Sequence, residues 1–152
     1  MQPGDTGDGA GVTRALLETL LPHTGAMCLL AAVERWDAHS IVCHATSHLE
    51  HDNPLRCEGR LEAIAAVEYA SQAIALHGML RAGARSSPRV GYLGKLSAIE
   101  LTCDTLDASG EPLVVRVTLC AENRDGCIHE FDVSAGGQRV AHGRILIAFA
   151  QT

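Results

Sequence analysis

The hydrophobic pattern of the chain changes period twice. Met27 to Trp36 is a mostly apolar run closed by Asp37-Ala38. Ser40 to Thr46 then alternates, with Ile41, Cys43 and Ala45 on one side and Ser40, Val42, His44 and Thr46 on the other. Successive strand side chains point to opposite faces, so these runs predict a hairpin. The polar stretch His48 to Glu58 contains Pro54 and predicts a loop. Gly59 to Leu80 predicts a helix: it is rich in Ala, Leu, Ile and Glu, lacks Pro, and has Gly78 near its end. On a helical wheel Ala63, Ala66, Ala70 and Ala73 share one side. Leu61, Ile64, Ala65 and Ala75 share the other, with Val67 and Ile74 on a flank. A helix apolar nearly all round must be covered nearly all round.

Alternation returns after the helix. Val90 to Asp104, Leu113 to Asn123, Cys127 to Ala135 and Arg139 to Ala150 read as strands. The turn pairs Ser109-Gly110, Asp125-Gly126 and Gly136-Gly137 separate them. Upstream, Thr13 caps a short predicted helix, Arg14 to Leu21, stopped by Pro22. The order is a short helix, two strands, a long helix and about four strands, which is an α+β pattern. A curved antiparallel sheet around the long helix is the economical cover in a chain of 152 residues. Residues 1–12 are Gly-rich and acidic and predict a disordered N-terminus; residues 13–152 predict one domain.

Composition narrows the function classes. Apolar residues make up 47% of the chain, enough to fold a core. The net charge of -6, without a long basic run, argues against a nucleic-acid surface. The N-terminus lacks the basic start and apolar core of a secretion signal, and no segment is long and apolar enough to span a bilayer, so a cytoplasmic location is expected. The six cysteines include no C-x-x-C pair and read as reduced, mostly buried thiols. Eight histidines raise the question of a metal, but His48 and His51 lack further ligands at standard spacing, so no metal site is expected.

Glu68 is the outlier on the long helix. Its neighbours on that face are Leu61, Ile64, Ala65, Gln72 and Ala75. Among such residues a carboxyl loses hydration, which raises its pKa and suits it to acid-base chemistry near neutrality. The alternative is a Glu that turns to solvent or meets Arg60. His23, in the stretch Leu21 to Met27, is a second proton carrier, or else a histidine bonded to the end of the preceding helix or to a loop carbonyl. His51 and Asn53 are further loop candidates, whereas His44 and His129 lie in strands. The G-x-S-x-G elbow, the phosphate loop and the dinucleotide fingerprint are all missing, which leaves serine hydrolases and nucleotide enzymes without support.

Two stretches resemble the 3-hydroxyacyl-acyl-carrier-protein dehydratases. One is Leu21-Pro22-His23 followed by the apolar run Met27 to Val33. The other is Val67-Glu68-Tyr69-Ala70-Ser71-Gln72, similar to the helix motif of that family. The subgroup found with aryl polyene biosynthesis is closer. Its Pro-His-x-Gly-x-Met start resembles Pro22 to Met27, its His-x-x-Asn-Pro-Leu-Arg loop resembles His48 to Arg56, and its Glu-Tyr-Ala helix matches Glu68 to Ala70. Gly91-Tyr92-Leu93 and the stretch Val133 to Gly137 add to this resemblance, which covers most of residues 20–150.

The resemblance implies the hotdog fold and dehydration of a 3-hydroxyacyl thioester, on acyl carrier protein or CoA, to the trans-2-enoyl thioester. It implies His23 as proton acceptor and Glu68 as acid partner, with no organic cofactor or metal. Gln72 is expected to orient Glu68 or line the acyl tunnel. Backbone N–H groups near Arg60 and Leu61 are expected to receive the thioester oxygen, with His51 and Asn53 beside the substrate. Classical members carry a His-Phe-Pro-Gly loop where this chain has Asp52-Asn53-Pro54-Leu55. The active-site histidine is therefore His23, His51 or one from a partner subunit. A homodimer, a dimer-based oligomer or a heterodimer with a related dehydratase subunit is expected. The rival readings are a hotdog acyl thioesterase and a non-catalytic subunit.

Overall fold

The computed structural model describes Leu17 and residues 27–83 and 89–151. The predicted disordered start, most of the first helix and the Pro22-His23 segment lie outside these residues. Leu17 itself is helical and fully buried.

The hairpin forms as β1 (Ala32–Trp36) and β2 (Ser40–Ala45). Its turn is fastened by the Asp37 carboxylate, which accepts the backbone N–H groups of His39 and Ser40, each at 2.8 Å. Residues 28–31 are apolar but irregular: both backbone groups of Leu29 are taken by side chains, its N–H by Gln72 and its carbonyl by Ser47, while Ala31 N–H reaches the β2 backbone at the His44 carbonyl. The central helix, α1, runs from Ala66 to Ala82, after a 3-10 turn at Ala63–Ala65. It therefore starts later than the predicted Gly59 and continues past the predicted Leu80. The reason at the C-terminal end is Gly83, whose φ of 73° is the left-handed conformation that glycine takes most readily.

Four long strands follow: β3 (Gly91–Leu101), β4 (Leu113–Glu122), β5 (Gly126–Ala135) and β6 (Gln138–Phe149). All pairings are antiparallel, in the order β1-β2-β4-β5-β6-β3. The helix lies across β2, β4 and β5, inside the curve of the sheet. Inward positions such as Val115, Val117, Phe131 and Val133 join Ala66, Ala70, Ala73 and Leu76 in one core. This is the hotdog arrangement, in the α+β class.

Cover of the helix is one-sided. Val67, Tyr69, Ala70, Ala73, Ile74 and Leu76 are buried, while Ile64, Glu68, Ala75 and Gly78 face solvent. Both sides of the helix are apolar in sequence, so periodicity alone does not tell which side the sheet takes. The connection from β3 back to β4 crosses the N-terminal end of the helix. There Ala63 N–H donates to the Asp104 carbonyl at 3.0 Å and Leu106 N–H to the Leu61 carbonyl at 3.0 Å.

Candidate functional site

Of the polar motif residues, Tyr69 and Gln72 lie on the helix turn that carries Glu68, and Asn53 reaches that turn from the loop. Tyr69 is fully buried, and its Oη lies 2.7 Å from Ser47 Oγ. Ser47 Oγ donates its one proton to the Leu29 carbonyl at 2.7 Å, so Tyr69 must donate to Ser47. Asn53 Nδ2 completes the chain by donating to Tyr69 Oη at 3.1 Å and to the Ser47 carbonyl at 2.9 Å. Burial pushes the Tyr69 phenol above its ordinary pKa, so it stays neutral. Gln72, 3% exposed, accepts Leu29 N–H at 2.9 Å and donates to the Met27 carbonyl at 2.6 Å.

The loop that includes Asn53 is held by Arg56, which the sequence marks only as the end of a motif. Its guanidinium donates to the carbonyls of Glu50, Gly59 and His48 and to the Asp107 carboxylate at 2.9 Å. That ion pair holds the Asp107 carboxyl below the usual range against the opposing effect of desolvation. One planar cation thus gathers the loop and the β3–β4 connection at one corner. Fully buried His48 supports the same corner. Its Nε2 lies 2.7 Å from the Glu111 carbonyl and so carries the proton, and burial holds its pKa below the ordinary value.

Each candidate residue can now be placed. Glu68 is exposed rather than buried, and its side chain has no hydrogen bond or ion pair among the described residues. The expected loss of hydration does not arise in the single chain, because its neighbours Ile64 and Ala75 also face solvent. Gln72 points into the fold and leaves Glu68 unbonded. Asn53 is 5% exposed with both ends of its amide engaged, the oxygen by Leu55 N–H at 2.9 Å, so it is part of the scaffold. His51 is exposed on the loop, and its side chain has no partner among the described residues. Arg60 pairs with Glu62 at 2.5 Å in solvent, and its N–H donates to the Cys57 carbonyl at 3.0 Å. Leu61 is fully buried. Both precede the helix, so neither lies in its N-terminal turn. His23 falls outside the described residues.

The other histidines and the thiols are structural or surface groups. His77 on the helix and His129 on β5 are buried at 0% and 3% exposure, with ring centroids 6.3 Å apart in an edge-on arrangement. Burial pushes the Cys43 thiol up to about 12 and the Cys127 thiol up to about 11, so neither is a thiolate at neutral pH. No cluster of three or more metal-ligating side chains occurs among the described residues. On the outer face of the sheet a groove lined by Arg116, Glu130, Asp132, Arg139, His142 and Arg144 does not include Glu68. Its charges are largely paired, Arg139 with Asp132, Arg144 with Glu130 and His142 with Glu100.

Comparison with known proteins bears on the family and the fold. Residues 15–151 match the ApeP-like family, described as ApeP dehydratase. No curated protein sequence matches the chain. Among solved structures, the dehydratase heterocomplex ApeI:P from Xenorhabdus doucetiae superposes with a TM-score of 0.76 at 22% identity, covering 90% of this chain and 91% of that one. A thioesterase from Haemophilus influenzae has a TM-score of 0.65 at 13% identity, covering 94% of each chain. AziG from S. sahachiroi has a TM-score of 0.62 at 15% identity, covering 88% of this chain and 99% of that one. At these identities the structures speak to the fold.

Proposed function

The chain belongs to the ApeP-like dehydratase family, and from that premise we propose that it acts in the dehydration of 3-hydroxyacyl thioesters held on acyl carrier protein or CoA. The observation that carries this reading is Glu68: a carboxyl without a partner among the described residues, exposed on an otherwise small and apolar helix face. In the elimination a base takes the α-proton, and the electron pair of that C–H bond forms the α,β double bond. The β C–O bond breaks as an acid protonates the departing hydroxyl, which leaves as water. Glu68 is the acid, and the base is His23, His51 or a histidine of a second subunit.

The site is completed at a seam between two hotdog subunits. The edge strand β3 supports this, because Val90 just before it and Tyr92 and Leu93 within it are 59%, 62% and 50% exposed. An open apolar strand edge favours association, and a second chain along it and the open helix side would desolvate Glu68. That the ApeI:P structure is a heterocomplex supports a related subunit as the second chain. Such a partner would give this chain a share in aryl polyene-type or fatty-acid biosynthesis.

A second reading, an acyl thioesterase, is favoured by the likeness of fold to the H. influenzae thioesterase. Presenting 3-hydroxyacyl and saturated acyl thioesters side by side separates the readings. Enoyl product and water without free thiol is the expected result; release of thiol identifies a thioesterase. Neither product, from the chain alone or with a related dehydratase subunit, leaves an acyl-binding protein.

A further inference from the structure

Gln72 stands one helical turn after Glu68, about 6 Å along the helix axis. A side chain at that position is within reach of the carboxylate, which makes direct orientation of Glu68 the obvious role for it. The structure gives it other partners. Its amide oxygen takes Leu29 N–H at 2.9 Å, and its amide nitrogen gives a proton to the Met27 carbonyl at 2.6 Å. The orientation of the amide is fixed by these partners, since the flipped form would set N–H against N–H and oxygen against oxygen. The Leu29 carbonyl is held in turn by Ser47, which Tyr69 holds from the same turn of the helix. Both polar groups of the Leu29 residue are therefore fixed by the turn that bears Glu68.

We propose that Gln72 is a positioning residue for the reaction at Glu68: its two-ended grip on Met27 and Leu29 sets the register between that turn of the helix and the stretch of chain lying across it. The inference rests on the dehydratase reading. Burial makes the grip strong. Gln72 is 3% exposed and Leu29 fully buried, so loss of the bond between them leaves the Leu29 N–H without water, while the bond to the more exposed Met27 fixes the other end of the amide. Its length also makes it specific, because Asn at this position would be one methylene short.

The test uses the full chain, with a related dehydratase subunit if turnover requires one, on a 3-hydroxyacyl thioester. Gln72→Met keeps the length and removes both hydrogen bonds. It should lower kcat about ten- to a hundredfold, the scale of a misplaced reacting group, with KM within about twofold, at a temperature where the variant is fully folded. Gln72→Glu keeps the acceptor for Leu29 and regains the donor for Met27 only when protonated. Its kcat relative to wild type should rise as pH falls, measured at a temperature where the variant is fully folded at every pH, so that recovery of stability on protonation of the buried carboxyl does not enter. Unchanged kcat in folded Gln72→Met, or failure of both variants to fold, overturns the proposal. If the wild type with its partner eliminates no water, the parent reading fails and the catalytic role of Gln72 fails with it. An active wild type beside an unaffected Gln72→Met fails the clamp alone.

Discussion

Tyr69 and Ser47 share a buried hydrogen bond of 2.7 Å whose proton belongs to Tyr69, because Ser47 donates to Leu29. This bond ties the central helix to the loop after β2, and through Leu29 to the segment before β1. It explains why a tyrosine follows the exposed acid: Glu68 faces outward while its neighbour anchors the helix inward.

Tyr69→Phe keeps the ring and removes that proton. The bond to Ser47 and the one accepted from Asn53 Nδ2 are both lost, while Asn53 Nδ2 retains the Ser47 carbonyl and Ser47 retains Leu29, so two links go and the rest of the network stays. Stability should fall by about 1–3 kcal/mol, the cost of leaving buried polar groups partly unsatisfied. Urea melts of the two proteins measure it, and equal midpoints would show that the network contributes nothing.

Glu68→Gln should behave in the opposite way. The side chain is exposed and unpaired among the described residues, so stability should change by less than about 0.5 kcal/mol. Dehydration should fall by about two to four decades, because an amide cannot deliver the proton to the departing hydroxyl. A folded variant with full turnover removes Glu68 from the mechanism.

The fold is largely legible in the sequence, and the site only partly so. Alternation at Ile41, Cys43 and Ala45 and the turns at Asp125-Gly126 and Gly136-Gly137 place the ends of the strands they border within about two residues, because period and turn chemistry are local. The helix start is misplaced because its boundary is tertiary: Ala63 N–H and the Leu61 carbonyl are engaged by Asp104 and Leu106, far along the chain. The exposure of Glu68 is hidden because Ile64 and Ala75 look as buriable as Ala66 and Ala73. Asn53 and Gln72 read as substrate contacts because a polar residue in a motif looks the same whether it touches ligand or backbone. Their partners are the carbonyl of Ser47, the Tyr69 hydroxyl and Leu55 N–H for Asn53, and the backbone of Met27 and Leu29 for Gln72.

The His77–His129 pair gives stability a dependence on acid. Burial, and then the neighbouring His77, hold the His129 pKa at about 4, below its ordinary 6.5; Arg81 and Glu122 also face it. His77 is lowered as well, mainly by burial, with Asp37, Arg81 and Glu122 around it. The folded state therefore favours neutral rings, while the unfolded chain takes up protons below about pH 6.5. Their contribution is fully present above that pH and is lost as pH falls toward 4, by on the order of 3 kcal/mol for His129 alone. Urea midpoints between pH 7.5 and 4.5 should fall in wild type and fall less steeply in His129→Leu, at roughly the scale this linkage sets. Parallel slopes would show that His129 titrates normally.

Three histidines compete for the role of base, His23, His51 and one of a partner subunit, and the structure shapes the expected order. His48 is excluded: its Nε2 proton is given to the Glu111 carbonyl, and it is fully buried. His51 is exposed on a loop whose anchoring residues, Asn53 and Arg56, are fixed, but its own side chain has no partner among the described residues to orient it. A general base works when its orientation is set, so His51→Ala should lower kcat by less than about threefold. His23→Ala should lower it by about two to four decades, the usual worth of a positioned base. The reverse ranking would move the base to the loop. If the chain alone is inactive and neither substitution matters in the presence of a related dehydratase subunit, the base belongs to that subunit. Light scattering then makes the distinction physical: at micromolar concentration the chain should run as a dimer or larger, and charging the open edge with Leu93→Lys should shift it toward monomer and abolish turnover together. A fully active monomer would remove the seam, and with it any need for a histidine from a second chain.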